Sequence, residues 1–460
     1  MDAAATREDV VDGRLRRVIL VAAVTQAAIN MDFFAMGIAL PTMAEDLGTT
    51  VTDLQWVVSG YLVALGSFFV AGGRLGDILG RRRMLLAGMA LFALSSAVAA
   101  VSPSAELVIG ARIVQGLGSA IAFPVSVAIV TNAFPPDRVG RAIGLVFGIG
   151  LIGTAAGPFV GGLLTEVASW RLLFWINVPI ALVVGWLALA SVEESRDETA
   201  PRRIDLPGLA LIASGVAAVS IGADKAADWG WTSPATLGLM GAGLLLLAAF
   251  VVVEGRVANP LLDLGLFRIP TMGTMLTAGS VGNILYNVVI FSSTLYLQQA
   301  RDLSPLEAGV VFLALASGAS VAGQVSGRLE RFPSWLVMAA ALVIGGLGSI
   351  GLGVSDDWIA YVPFFAVAGF GLGLGWAYTS VATQAITPPE KAGATGGIVL
   401  TLLVGLGGIA VAVAASVIDA RAGTDLGEVL QDLIVVAGVI ALAGAVLVAA
   451  LGRARRPRAS

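Results

Sequence analysis

The sequence predicts an all-α integral membrane protein with fourteen transmembrane helices. Its 460 residues are 57% hydrophobic and 13% charged, with a mean hydropathy of +0.91, which a soluble globular protein of this length would not tolerate. Apolar runs recur along the whole chain, each close to the ~20 residues that a helix needs to cross a bilayer. Arginine and lysine concentrate in every second connection, and this alternation fixes the direction of each crossing.

The predicted crossings follow one another with short polar connections, except around the seventh and eighth. The fourteen runs lie at 18–41, 54–73, 84–101, 106–130, 141–164, 171–191, 206–223, 234–253, 271–297, 306–326, 334–353, 358–380, 392–418 and 429–451. The layout indicates six helices in residues 1–191, a linker with two extra helices in 192–270 and six helices in 271–460. Within the linker, the apolar piece from Leu261 to Phe267 is expected to lie flat in the membrane interface.

A weak internal repeat supports the division into two six-helix halves. The sequence GGRLGDILGRRR follows the second run, and GQVSGRLERF follows the tenth, which is the second run of the later half. Parallel repeats of this kind underlie membrane proteins that bind a substrate between their halves, near the midplane of the bilayer.

Charge distribution predicts that both termini lie in the cytoplasm. Connections on one side of the predicted membrane carry 22 arginines and lysines. Connections on the other side carry four, at Arg171, Lys225, Arg301 and Arg421. Because cytoplasmic connections hold the excess of positive residues, the richer side is cytoplasmic. The same bias supports the number of crossings, since one missed or extra crossing would scramble the alternation.

The composition also excludes several kinds of chemistry. The chain contains no cysteine and no histidine, so disulfides, thiol chemistry and thiolate metal sites are excluded. Any group that handles protons near neutral pH must then be a carboxylate. The sequence has no clustered acid pair and no phosphate-binding loop, which argues against a membrane enzyme. We expect no cofactor, no metal and no nucleic acid partner.

Two charged residues lie well inside apolar runs, where charge is costly. Asp32 lies in the first run, within QAAINMDFFAMGIALP, and Arg112 lies in the fourth, within GARIVQGLGSA. A charge at mid-helix costs ~2.5–3.5 kcal/mol on insertion scales, so both residues are functional candidates by default. Structural alternatives remain open, because Arg112 could pair with a carbonyl or carboxylate and Asp32 could be held by hydrogen bonds alone. Gln26 and Asn30 could extend a polar strip from Asp32, although Asn30 need not share its face of the helix.

Small residues mark the connection after the second run and the whole of the fifth run. In the connection, glycines allow a tight turn, and an acid and an arginine four residues apart can form an ion pair. In the fifth run, glycines three or four residues apart let a neighbouring helix approach closely, and a proline kinks the helix. A plain packing seam is the alternative for the fifth run. The residues concerned are Gly73, Gly76, Asp77, Gly80, Arg81 and Arg82 in the connection, and Gly144, Gly153, Gly157, Pro158, Gly161 and Gly162 in the run.

These segments together resemble the major facilitator superfamily and, within it, the 14-span drug:proton antiporter branch. The connection resembles the superfamily's signature latch, which holds the two halves together, although Ile78 stands where a basic residue is usual. DFFAMGIALP resembles the branch's first-helix signature, and WRLLFWINVP at 170–179 resembles the entry to its sixth helix, with Leu172 in place of an aromatic residue. The fifth run resembles the antiporter motif of exporters.

The resemblance implies a major facilitator fold and a role for several of these residues. The acid of the first helix, Asp32, and the arginine of the R-x-x-Q-G motif, Arg112, would take part in proton coupling. We therefore expect proton-driven export of lipophilic drugs or antibiotics across a bacterial inner membrane. With one acid deep in the bundle, the expected substrates are monocationic, neutral or zwitterionic. Possible substrate-binding residues are Gln26, Asn30, Gln115, Asn283, Tyr286 and Asn287.

Two alternatives stand beside this expectation. A dedicated exporter of one metabolite or self-made antibiotic would have the same fold and the same coupling residues. A membrane sensor or scaffold that kept the fold without transport would be a different class of protein, but the chain carries no soluble signalling domain.

Overall fold

The computed structural model describes residues 2–387 and 424–454, with gaps at 55, 199–204, 258–259, 261–264, 266–269 and 356, and isolated positions between 388 and 423. The helices are α1 (Asp2–Leu47), α2 (Val51–Leu54), α3 (Trp56–Leu79), α4 (Arg81–Val101), α5 (Ala105–Ala133), α6 (Pro136–Val167), α7 (Arg171–Trp175), α8 (Asn177–Ser191), α9 (Leu206–Trp229), α10 (Pro234–Glu254), α11 (Pro270–Leu295), a π-helical turn (Tyr296–Ala300), α12 (Pro305–Ser326), a 3-10 turn (Leu329–Arg331), α13 (Ser334–Gly353), α14 (Trp358–Ala385) and α15 (Leu426–Ala454).

Thirteen segments of this described part are long and apolar enough to cross a membrane. They correspond to the first twelve predicted runs and the last one, with α7 and α8 together forming the sixth crossing. The predicted thirteenth run, 392–418, lies outside the described residues apart from isolated positions, and so does the piece from Leu261 to Phe267 apart from Gly265.

Helix ends follow from residues that satisfy the free backbone groups of the first and last turns. At the start of α12, the Ser304 hydroxyl accepts from the Glu307 N–H while the Glu307 carboxylate accepts from the Ser304 N–H, which is a complete capping box. At the end of α9, Gly230 takes a φ of 86°, a conformation in which a Cβ would be strained. These polar ends interrupt the apolar runs where the sequence predicts connections.

In the described residues, each half is held together by helices that approach closely at glycines. In the first half α1 packs on α6, and α3 and α4 pack on α5; in the second half α12 and α13 pack on α14, and α13 packs on α15. A Cβ built on Gly72 would lie 2.2 Å from the Ala120 carbonyl oxygen, and one built on Gly318 would lie 2.0 Å from that of Ala366. Backbones this close need glycine, as is typical of helix packing in membranes.

The two halves meet directly along α6 and α12. We call the membrane end that carries Arg81 and Arg141 the terminal end, because the crossings place both chain termini there, and we call the opposite end the far end. Near the terminal end, Ala377 and Val381 of α14 belong to the apolar core of the first half. Toward the far end, a Cβ on Gly309 of α12 would lie 2.7 Å from the Phe159 Cα of α6. This seam is therefore closed along most of its length.

The two extra helices cover a second line of contact between the halves. Val70 of α3, Ile212 and Val216 of α9 and Met272 and Leu276 of α11 share one buried apolar cluster. Beyond α9, α10 exposes large apolar side chains on its outer surface, as expected of a helix that faces lipid. The insert thus lies at the periphery and contacts both halves through α9.

Candidate functional site

The structure brings together the two charged residues that the sequence places inside crossings. Asp32 of α1 is 2% exposed and Arg112 of α5 is fully buried. The Arg112 Nη1 donates to the Asp32 Oδ2 at 2.5 Å. A buried ion pair is stable only when further hydrogen bonds satisfy both partners, so the surroundings of each group decide what the pair can do.

Contacts from α3 and α5 fix the position of the arginine. Its Nε donates to the Val57 carbonyl at 2.9 Å, and its Nη1 also donates to the Gln115 Oε1 at 2.7 Å. The Arg112 Cζ lies 4.1 Å from the centre of the Tyr61 ring, a cation–π contact. The Arg112 Nη2 has no hydrogen-bond partner. One donor of a buried guanidinium is thus available to another group.

Two amides hold the second oxygen of the acid. The Asp32 Oδ1 accepts from the Asn177 Nδ2 at 2.6 Å and from the Gln115 Nε2 at 3.2 Å. The same Asn177 Nδ2 also donates to the Ser96 Oγ at 3.1 Å. Sequence reasoning missed Asn177, Tyr61 and Ser96 as members of this site. The sequence signal for Asn177 was its place in the WRLLFWINVP segment, which carries the resemblance but does not reveal a partner.

The polar strip predicted along α1 is not continuous with Asp32. The Gln26 Nε2 donates to the Ser126 Oγ at 3.3 Å, and the Asn30 Nδ2 donates to the Gly150 carbonyl at 3.0 Å. Successive helical residues are rotated by about 100°, so Gln26 and Asn30 share a face with each other and not with Asp32. Gln115 also differs from the expectation of a substrate ligand, because both ends of its amide contact the ion pair.

The polar residues of α11 form a separate group in the second half. The Asn283 Nδ2 donates to the Leu403 carbonyl at 2.5 Å, and the Asn287 Nδ2 donates to the Asn283 carbonyl at 2.8 Å. Tyr286 is buried and its hydroxyl has no hydrogen-bond partner. None of the described hydrogen bonds of these three residues reaches Asp32 or Arg112. A role in binding substrate therefore stays a prediction for them.

The glycine run of α6 faces two different helices. A Cβ on Gly144 would lie 2.5 Å from the Gly323 carbonyl oxygen of α12. Farther along, Cβ atoms on Gly153, Gly157 and Gly161 would lie 2.2, 2.8 and 2.7 Å from carbonyl oxygens of α1. Those three carbonyls belong to Ala27, Met31 and Ala35, on either side of Asp32. Pro158 and Gly162 are buried in the same stretch.

The predicted latch is less of a loop than the sequence suggests. Gly73 and Gly76 lie within α3, and Gly80 alone, with a φ of 111°, separates α3 from α4. Asp77 and Arg81 form the predicted ion pair, with the Arg81 Nη2 donating to the Asp77 Oδ1 at 2.8 Å and both side chains fully buried. The φ of Gly80 explains why glycine is needed there.

Residues 192–198, which we call the strap, cover this latch. The Glu194 carboxylate accepts from the backbone N–H groups of Arg82 and Arg83 at 3.0 and 3.2 Å, and so caps the start of α4. The Arg81 N–H donates to the Ser195 carbonyl at 2.9 Å, and the Asp197 N–H donates to the Asp77 carbonyl at 2.8 Å. The strap leads from α8 into the two extra helices, so the latch is joined to the insert.

A second tether holds the far end of the first half. Asp46, beyond the first crossing, accepts hydrogen bonds from Arg171 and from the Trp170 Nε1. The hydrogen bond from Arg171 holds the pKa of Asp46 below its ordinary value, and the bond from Trp170 acts in the same direction. Arg171 also donates to the Ser102 carbonyl at 3.4 Å. The ends of α1, α4 and α7 are thus tied together.

Two helical halves, glycine seams between them and a charged pair buried inside one half are the features of a polytopic membrane transporter. A family model described as Major Facilitator Superfamily matches residues 22–412. The chain belongs to the major facilitator superfamily. This membership confirms the predicted fold class and the prediction that the protein is a transporter and not an enzyme.

Curated relatives and solved structures agree with this assignment. The tetracenomycin C resistance and export protein of Streptomyces glaucescens is 32% identical over 89% of this chain and 77% of its own length. The multidrug resistance protein Stp of Mycobacterium tuberculosis is 33% identical, over 80% of this chain and 70% of its own length. The human organic anion transporter MFSD10 has the same fold, with a TM-score of 0.67, 16% identity and coverage of 93% of this chain and 99% of its own.

Proposed function

We propose that this protein exports lipophilic drugs or antibiotics across the membrane in exchange for protons, by alternating access. The observation that carries the proposal is the buried pair of Asp32 and Arg112, which joins α1 to α5 inside the first half. A carboxylate can gain or lose a proton, whereas an arginine stays charged, so only Asp32 can carry the proton. The names of the relatives, which describe resistance and export, support the outward direction.

The contacts around the pair suggest how a proton could move the halves. Protonation of Asp32 removes its attraction for Arg112 and weakens the contact between α1 and α5. Because α1 lies against the glycines of α6, and α6 lies against α12, a shift of α1 can reach the seam between the halves. Rigid-body motion of one repeat against the other is the usual form of alternating access.

The arrangement in the membrane is part of the proposal. We propose that residues 1–191 and 271–460 are the two moving halves and that 192–270 carries the extra helices between them. The terminal end is taken as cytoplasmic, since it carries the excess of arginine and lysine. The lipid bilayer of a bacterial inner membrane is the expected surrounding, and protons enter from the far end.

The proposed substrates are small and lipophilic, with a single positive charge, no net charge or a zwitterionic form. Asp32 is the one buried acid that the described residues place deep in a crossing, and a second buried cation would be left unpaired. A dedicated exporter of one antibiotic remains the second candidate. It is favoured by relatives such as the cephamycin export protein of Amycolatopsis lactamdurans, 34% identical over 72% of this chain and 69% of its own length.

Replacing Asp32 by asparagine tests the proton-coupling role. The amide keeps the shape of the side chain but cannot titrate, so we expect Asp32→Asn to abolish proton-driven uptake of dye into inverted vesicles, which corresponds to export from the cell, while the protein stays folded and inserted. Asp432→Asn is the matched control, because it removes an acid from an exposed ion pair with Arg421. Proton-driven export by Asp32→Asn equal to that of the control would refute the assignment. Export of many dyes from a broad panel would support a multidrug exporter, whereas export of none or one would support a dedicated exporter.

A further inference from the structure

We infer that Asn177 is a positioning residue that, locked by Ser96, makes proton uptake by Asp32 incompatible with the arrangement seen here. The inference rests on the proposed function, since it assumes that Asp32 is the proton carrier. It adds the sixth crossing to the coupling machinery, because Asn177 is the first residue of α8. The argument depends on which atoms around the acid can donate hydrogen bonds and which can accept them.

The orientation of the Asn177 amide follows from its neighbours. The Ser96 hydroxyl donates to the Phe174 carbonyl at 2.8 Å, so its oxygen can only accept the bond from Asn177. The Asn177 nitrogen therefore faces two acceptors, the Ser96 Oγ and the Asp32 Oδ1, and a flipped amide would place its own oxygen against both. While Ser96 donates to Phe174, Asn177 is thus oriented as a double donor, and its own Oδ1 has no hydrogen-bond partner.

Every described atom in hydrogen-bond contact with the Asp32 carboxylate is a donor. The Oδ2 receives the Arg112 Nη1, and the Oδ1 receives the amide nitrogens of Asn177 and Gln115. The Gln115 oxygen is occupied by Arg112. A proton on either Asp32 oxygen would consequently have no acceptor and would face a donor. In a buried site, such an unsatisfied group is costly.

Proton uptake must then accompany a change of these contacts. The charged and titratable groups near the acid are Arg112 from α5 and Tyr61 from α3, and the Tyr61 hydroxyl donates to the Ser119 Oγ at 2.9 Å. Arg112 cannot lose its charge, so the neutral amide of Asn177 is the contact that a motion of α8 can release. Withdrawal of Asn177 would remove the shorter of the two hydrogen bonds to the Oδ1 and leave only the longer one from the Gln115 Nε2, so protonation of this oxygen would cost less.

The test follows the protonation of Asp32 directly and needs no substrate. The purified protein is titrated while infrared difference spectra record the carboxylic C=O band, which is assigned to Asp32 by its absence from Asp32→Asn. We expect Asn177→Ala to move the midpoint of this band upward by about one pH unit, the equivalent of one lost hydrogen bond to a charged group. Ser96→Ala is expected to move it in the same direction by less, since it only unlocks the amide.

Matched controls separate this role from packing. Ser95→Ala removes a neighbouring hydroxyl that bonds only within its own helix, to the Leu91 and Phe92 carbonyls, and is expected to leave the midpoint unchanged. Asn177→Leu keeps the branched shape of the side chain without the donor and replaces Asn177→Ala if that variant does not fold. A folded Asn177 variant with the wild-type midpoint would overturn the inference.

The outcomes also distinguish this inference from the proposed function. Retained proton-driven export by Asp32→Asn, together with a shifted midpoint in Asn177→Ala, would refute the coupling role of Asp32 but leave the contact chemistry intact. Loss of export in Asp32→Asn, together with an unshifted midpoint in Asn177→Ala, would refute only the role of Asn177. Absence of any Asp32 band over the whole titration would overturn the inference as well.

Discussion

Replacing Gly157 by valine should bias the protein toward one of its transport states. A Cβ at this position would lie 2.8 Å from both the Met31 carbonyl oxygen and the Phe34 Cβ, and 3.1 Å from the Ala35 nitrogen. Two of these three contacts are backbone atoms of α1, which cannot be moved by rotating a side chain. The branched valine side chain would therefore push α1 and α6 apart beside Asp32.

The size of the effect follows from the usual cost of overpacking. Such insertions cost ~1–3 kcal/mol, and a difference of that size between two states changes their ratio by roughly 5- to 150-fold. States of a transporter that differ by a few kcal/mol would thus shift strongly toward the one in which α1 and α6 are farther apart. We expect insertion and dye binding to be kept and export to be lost.

Distance measurements between spin labels can detect this bias. The chain contains no cysteine, so labels attach only where cysteines are introduced. Val167 at the end of α6 is 75% exposed, and Val354 just after α13 is 65% exposed, so labels there span the halves at the far end without disturbing a core. Gly241→Val in α10 is the control, because no atom lies within 4 Å of its added Cβ. Wild-type export and wild-type label distances in Gly157→Val would refute the reasoning.

Three further predictions concern the charges of the site and the strap. Arg112→Lys should lower proton-driven export at least tenfold at equal expression, because one ammonium group cannot contact both the Val57 carbonyl and Asp32 as the planar guanidinium does. Export at the wild-type rate would show that Arg112 has only a structural role. Glu194→Gln should lower the free energy of unfolding by about 0.5–2 kcal/mol, which is the usual range for a lost helix cap. An unchanged melting temperature would show that the strap does not stabilise α4. A rigid dication with well-separated charges should be exported at least tenfold more slowly than a matched monocation, and equal rates would mean that a second acid takes part in binding the substrate.

The sequence was sufficient to predict the thirteen crossings that the described residues contain, because lipid demands long apolar helices. It was also sufficient to single out Asp32 and Arg112, since a charge inside an apolar run is rare and costly. Both predictions rest on constraints that act along the chain and need no knowledge of which helices are neighbours.

Partners across helices could not be predicted in the same way. Asn177 is separated from Asp32 by 145 positions in the chain, and no local pattern reveals that they meet. The polar strip through Gln26 and Asn30 does not extend from Asp32, because both side chains lie on another face of α1, where they contact Ser126 and Gly150. Similarly, spacing identified the glycines of α6 but did not divide them between α1 and α12.

The glycines of α6 that face α1 and those that face α12 affect how easily this helix can be displaced when the protein changes conformation. Bulky side chains on two packed helices interdigitate, and a relative displacement forces them out of one set of grooves and into another. Along its contacts with α1 and α12, α6 presents bare backbone at Gly144, Gly153, Gly157 and Gly161. At these four positions, a small displacement of α6 against either neighbour needs no change of its own rotamers. The helix that joins the Asp32–Arg112 pair to the other half can therefore be displaced with few side-chain rearrangements at these glycines.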